Sequence, residues 1–311
     1  MRVPIRKVAL AASLLLVAAV AVLIWALRRP SRTEISLRII PRAAHTGDLD
    51  TLLFYAKQGH GEAIQRLGDP RFKAAEPFLI ELLSDDRRKV SAATALARID
   101  LDRNLPRLTG LLEDQNPDIR YGAIEALRSI PRWKDEHAWK AARAVAAHLQ
   151  DDGPVGGPCL ANWPIGLTAH EALCELLAAP DKPAGHGSIN WSKDRMARNA
   201  ASWSTWFREH ENRPVLSILL EQSRHPSARA RTRAASQLSK YEDLKSVDRL
   251  VELLGDPDQE VPQRAASALR RLTQHSPPMK DPKTFSQVWH SGSRQAWEAW
   301  WKKERDGFQF R

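Results

Sequence analysis

The sequence contains little of what small-molecule chemistry usually requires. Across 311 residues there are two cysteines, three methionines, three tyrosines and fifteen glycines, and no glycine-rich loop of the kind that cradles phosphate. His170-Glu171-Ala172-Leu173-Cys174 begins like a zinc-protease helix but places cysteine where the second histidine should stand. Two cysteines and scattered histidines do not make a structural zinc site. The segment GHGSINW at 185–191 brings His186 near Ser188 but has neither the nucleophile elbow nor a strand before it. Gly255-Asp256-Pro257-Asp258 matches a calcium loop for four residues and then loses the ligand spacing. No catalytic residue, metal or cofactor is expected, and the chain is not expected to be an enzyme.

What the sequence has is repetition. Leu253 to Leu272 reads LLGDPDQEVPQRAASALRRL and Leu111 to Ile130 reads LLEDQNPDIRYGAIEALRSI. Each contains an apolar pair closing one helix, a turn with Pro and Asp, and an alanine-rich helix reaching an Ala-Leu pair. Leu96 and Leu127 are 31 residues apart, as are Leu238 and Leu269, while Leu127 and Leu173 are 46 apart. The additional 15 residues fall at DDGPVGGPCLANWP, 151–164, whose three glycines and three prolines predict a loop inserted within one unit. In the second helix Ile119, Ala123, Ala126, Leu127 and Ile130 recur every three or four residues and so share one face. A single pair cannot bury that face, whereas stacked pairs form a continuous core.

This pattern resembles HEAT repeats of the short bacterial type, similar to those of phycobilisome-lyase-like proteins. The resemblance implies an all-α solenoid of about five pairs, near 74–100, 102–130, 136–178, 213–241 and 244–273. It implies a concave face built from the second helices that serves a protein partner. Because some HEAT-like proteins are chromophore lyases or DNA glycosylases, it leaves an enzyme or nucleic-acid reading as the alternative, beside a passive spacer. HEAT repeats usually carry Arg after the Val or Ile that opens the second helix. Arg120 follows Ile119 in that way, but Pro262 follows Val261, so an arginine ladder is expected to be interrupted. Candidate partner-binding residues are Arg120, Arg229, Arg233 and Arg264 on the second helices, with Trp163 in the inserted loop.

A longer repeat is written in aromatics. Trp203, Trp206 and Phe207 recur 94 residues later as Trp297, Trp300 and Trp301, each set on one helical face. They divide the solenoid into one module ending near 212 and another over 213–311, with the Trp helices as terminal caps rather than an aromatic pocket. Before the repeats, residues 33–47 read as a linker. A helix capped by Asp48 follows, with Leu49, Leu52, Leu53 and Ala56 on one face, and from residue 48 onward the chain is expected to belong to the solenoid.

Residues 8–27 are uncharged and apolar, flanked by Arg2, Arg6 and Lys7 and by Arg28, Arg29 and Arg32. Twenty helical residues span ~30 Å, the hydrocarbon thickness of a bilayer. That length favours an uncleaved signal anchor over a removed peptide, and a single-pass inner-membrane protein with an exported solenoid. In an oxidising compartment Cys159 and Cys174 are a possible disulfide, although Cys174 equally suits a small buried hydrophobe. The net charge of +10 suggests nucleic acid at first sight. Six of those cations lie within residues 1–32, which hold no acid, leaving 41 basic against 37 acidic residues, so nucleic acid is disfavoured as a partner.

Overall fold

The computed structural model describes residues 30–85, 87–155, 163–179, 192–275 and 292–310, divided between two compact units, Met1–Leu67 and Gly68–Arg311.

The described part of the first unit is helical almost from its start. Arg32–Glu34 forms a first turn capped by Ser31, whose hydroxyl accepts the Glu34 N–H at 3.0 Å. A π-helical segment, Ile35–Ile39, then leads into α1, Ile40–Thr46. Residues 33–47 are therefore helical where a linker was expected. Ile35, Ile40, Ala43 and Ala44 are buried, so the segment has an apolar face to dock. Pro41, which has no N–H to give, sits in the first turn of α1 directly after the widened segment. Gly47 closes α1 in the left-handed region at φ 76°. The Asp48 N–H returns 2.8 Å to the Ala43 carbonyl in a Schellman-type stop. Asp48 caps α2, Leu49–Lys57, as its position predicts, and α3, Gly61–Arg66, follows.

The second unit consists of helix pairs. These are α4 Glu76–Glu81 with α5 Lys89–Ile99, α6 Leu101–Gly110 with α7 Pro117–Ser129, and α8 Asp135–Ala146 with α9 Ile165–Leu176. After α10, Lys193–His210, come α11 Val215–Gln222 with α12 Ala228–Leu238, and α13 Leu244–Leu253 with α14 Glu260–Thr273. A last helix, α15, spans Gly292–Glu304. The second helices touch in the order α5, α7, α9, α12, α14, and the first helices in the order α6, α8, α11, α13. From the second pair onward each pair contacts the next in both layers, and the first pair joins through its second helix, which makes the unit an all-α solenoid.

The repeated leucines form its spine. Leu96, Leu127, Leu173, Leu238 and Leu269 have no exposed surface, and from Leu127 onward they join one core cluster. Small neighbours, Ala95, Ala126, Ala172 and Ala268, let adjacent backbones come close. The turns are set by side-chain caps. Asp100 accepts from Arg103 N, Asn116 from Asp118 N ahead of Pro117, and Asp243 from Lys245 N. Pro262 lies in the first turn of α14, where its missing N–H costs nothing.

The inserted stretch starts and finishes as a small ladder, with β1 Pro154–Val155 antiparallel to β2 Trp163–Pro164. The residues between, Cys159 among them, lie outside the described residues, and with Cys159 so does any bond to Cys174.

The first Trp helix does not end a stack. α10 follows the third pair, but α9 meets α12 and α8 meets α11 directly, so the core runs on through the place where two modules were expected to part. Trp203 is buried against the third pair, and Trp206 and Phe207 lie beside Trp139 of α8. α15 stands after the last pair, as a cap should. Its Trp297 and Trp301 are buried, and Trp301 Nε1 donates to Asp248 Oδ1 at 2.7 Å.

The expectation of a single-pass membrane protein with an exported solenoid is corrected. Among the described residues no helix is long and apolar enough to cross a membrane. The longest, α10, reads KDRMARNAASWSTWFREH, with charge at both ends and along one face. The apolar run 8–27, on which the expectation rested, lies outside the described residues.

Candidate functional site

Arg229, Arg231 and Arg233 stand on α12 at alternate positions, and a helix sends them in two directions. At ~100° per residue, Arg229 and Arg233 share a face, whereas Arg231 points nearly away from both. The two directions lead to two different environments.

Arg231 points into a ladder. Seven residues before each spine leucine the sequence holds Lys89, Arg120, Gly166, Arg231 and Pro262. Each of the three cations reaches an aspartate in the turn of the next pair. Lys89 Nζ lies 2.6 Å from Asp114, Arg120 Nε and Nη2 lie 2.7 and 2.9 Å from Asp151, and Arg231 Nε and Nη2 lie 2.7 and 2.8 Å from Asp256. The two arginines also donate Nη1 to carbonyls of their own turns, Asp114 and Gln115 for Arg120 and His225 and Pro226 for Arg231. Burial pushes the Asp151 and Asp256 carboxyls up, but the guanidinium hydrogen bond, a backbone N–H and the nearby positive charge together outweigh it and hold both below the usual carboxylate range. The Lys89 hydrogen bond does the same for Asp114.

Arg120 was expected to face a partner. Its side chain is only 14 % exposed and is committed to this ladder, so it fixes one repeat on the next. The ladder does skip a rung, but at Gly166 as well as at Pro262. A Cβ on Gly166 would stand 2.5 Å from the Leu149 carbonyl oxygen and 3.0 Å from Met196 Sδ, so only glycine fits there.

Arg229 and Arg233 point into a groove of about 640 Å³ between the second helices, and Arg264 of α14 lines it too. Three of the five expected partner residues thus meet in one place. Trp163, 39 % exposed on β2, is not among the lining residues, and neither is Arg120. The lining adds Arg128, Lys240 and Arg271, giving six cations against two carboxylates, Glu175 and Glu260. That surplus equals the surplus of the whole chain beyond residue 32, so the remainder of that stretch is balanced. Hydroxyls of Ser129, Thr232, Ser236, Ser239 and Ser267 line the groove between the charges.

Within the groove Glu175 is already engaged. Arg128 donates Nε and Nη2 to it at 2.9 and 2.5 Å and also binds Glu125. Burial works against the Arg128 charge, but the two carboxylates overcome it and raise its pKa. Lys240 is different. It is 7 % exposed, with Nζ 2.7 Å from the Arg128 carbonyl. Burial lowers its pKa to about 8, Arg271 and Arg128 adding to the effect and Glu175 opposing it. No feature of the sequence marked Lys240, because its partner lies 112 positions away.

The remaining polar clusters are structural. Trp203 Nε1 donates to His170 Nδ1 at 3.0 Å, which places the ring proton on Nε2, 3.7 Å from Cys174 Sγ. All three residues are buried, with α10 laid over them. Asp102, Glu136 and His137 bring carboxylate and imidazole atoms within 4.8 Å of one another. Lys134 Nζ already sits 2.9 Å from Asp102, so this is an ion-paired cluster at the surface.

Residues 57–128 match the family model for HEAT repeats. No curated protein matches the chain at a significant level. Among solved structures, a designed armadillo repeat protein is similar at 18% identity, over 79% of this chain and 96% of that one, with a TM-score of 0.30. An engineered protein from a structural genomics consortium is similar at 18% identity, over 75% of this chain and 70% of that one, again at 0.30. Both superpositions are loose. The class is set by the helix pairs in contact through both layers and by the family match over 57–128. The chain is an all-α, HEAT-like solenoid, a fold that generally serves protein–protein interaction.

Proposed function

We propose that this chain is a non-catalytic scaffold that binds another protein through the face formed by its second helices, with the cationic groove as the principal contact. The observation that carries the reading is the separation of charge. The ladder cations are neutralised by aspartates, whereas the groove gathers the positive surplus of the solenoid into one concavity lined by Arg229, Arg233 and Arg264. Such a field steers and orients an oppositely charged partner. A passive spacer would have no use for it.

The test is affinity purification with the intact chain and with the double variant Arg229→Glu, Arg233→Glu. The intact chain is expected to recover a stoichiometric protein, and the double variant, still helical by circular dichroism, to lose it. Equal recovery by both would assign the contact elsewhere. A failure of the intact chain to retain any protein would favour the spacer.

A further inference from the structure

Resting on that reading, we infer that the groove takes an acidic, extended segment of the partner polypeptide, with one carboxylate seated at the Lys240–Arg271 end and a second at Arg264.

Three cations of the groove have no carboxylate partner among the described residues. Arg264 makes no hydrogen bond or ion pair, Arg271 reaches only the Ser239 hydroxyl at 3.4 Å, and Lys240 reaches only the Arg128 carbonyl. Like charges held together in a half-buried concavity raise the free energy of the empty site, and an anion that enters relieves it. The occupant is therefore anionic.

Its backbone is indicated by two lining residues that are themselves over nine-tenths buried. Thr232 Oγ1 and Gln237 Oε1 have no hydrogen-bond partner. An amide oxygen accepts only, so once a side-chain shift opens Gln237 to the groove it calls for a donor, which a phosphodiester and an ionised carboxylate lack and a peptide N–H supplies. Nucleic acid fits less well. Single strands are held by basic grooves that also offer aromatic platforms, and among the described residues no aromatic ring lines this one.

Spacing adds a further constraint. Arg264 and Arg271 are seven residues apart on α14, ~10 Å along the helix and on one face. A polyproline-type segment repeats its facing every three residues, over ~9 Å. The favoured segment therefore carries acids three positions apart.

Lys240 gives the site a pH signature. The charged groups that face it are Glu175 from α9, Arg271 from α14 and Arg128 from α7. Loss of the Lys240 proton near pH 8 weakens carboxylate binding over that range.

Fluorescence anisotropy on the full chain tests this with three labelled probes: a nine-residue peptide with glutamate at every third position, its glutamine counterpart, and an oligothymidine of similar length. The glutamate peptide is expected to bind and the glutamine peptide not. Its affinity should fall roughly tenfold from pH 7 to 9.5, a fall that Lys240→Arg abolishes, and Arg264→Gln and Arg271→Gln should each cost a further ~10-fold. Equal binding of the two peptides, tighter binding of the oligonucleotide, or indifference to both arginine variants would overturn the inference. Recovery of a protein partner by the intact chain in that event leaves the scaffold reading standing and removes only the acidic segment.

Discussion

Arg231 and Arg264 belong to the same stack, lie on neighbouring second helices and have opposite situations. Arg231 is 14 % exposed and bound to Asp256 and two turn carbonyls. Arg264 is exposed and bound to nothing among the described residues. The residue type is common to both, so it cannot decide the role. Register decides it: the position seven before a spine leucine faces the next turn, whereas positions 229, 233 and 264 face the groove. In the ladder, charge holds repeats together. In the groove, Lys240, Arg264 and Arg271 have no carboxylate partner among the described residues and are available to a partner.

The largest expected effect removes what both regions stand on. Leu127→Ala empties a fully buried spine position and should cost ~2–5 kcal/mol in denaturant unfolding, loosening ladder and groove alike.

Next comes the sign of charge itself. Lys240 has a folded pKa of about 8 against the usual 10.5. Below pH 8 its burial as a cation costs stability in full. Between pH 8 and about 10.4 the unfolded chain holds more protons, so stability rises with pH by up to ~3 kcal/mol from this group. The ladder behaves in the opposite sense. Asp114, Asp151 and Asp256 titrate below their ordinary values, so their contribution is present above about pH 4 and is lost as pH falls through the depressed values. Unfolding followed across pH should show both limbs. An alkaline limb that is flat in the intact chain, or unchanged by Lys240→Arg, would remove the contrast.

Single ladder and surface residues follow. Arg231→Gln should cost ~1.5–3 kcal/mol, since it leaves the buried Asp256 side chain without its partner. Trp163→Ala, at a solvent-facing ring on β2, should stay within ~0.5 kcal/mol.

The stack was readable because a repeat writes its core at a fixed period. The 31-residue spacing located Leu96, Leu127, Leu238 and Leu269, and the 46-residue gap located the insertion before Leu173. The same register holds the ladder, and Arg120 and the interruption at Pro262 mark two of its positions in the sequence. Lys89 differs in type, and Arg231 stands among neighbouring arginines, so local pattern does not single out the position in every unit. Arg120 was misplaced for a related reason: the sequence shows a cation on a helix but not the aspartate of the next turn. Residues 33–47 suggested a linker from Pro41 and the charges, whereas buried Ile35, Ile40 and Ala44 show an apolar face that spacing across a π-helical segment disguises. The aromatic helices were recognised as core-forming. Local pattern could not show that α9 and α12 meet directly and leave α10 beside a stack that continues. Lys240 depends on a contact with Arg128 that no local pattern encodes.

Ladder and groove are separable by register, and a paired measurement on Arg231→Gln and Arg264→Gln tests that most directly. Unfolding free energy and affinity for the glutamate peptide are measured for each in the full chain. Arg231→Gln is predicted to lose ~1.5–3 kcal/mol of stability, while the fraction that remains folded binds the peptide as before. Arg264→Gln is predicted to unfold within ~0.5 kcal/mol of the intact chain and to bind roughly tenfold more weakly. Variants that lose stability and affinity together, or in the reverse assignment, would contradict it.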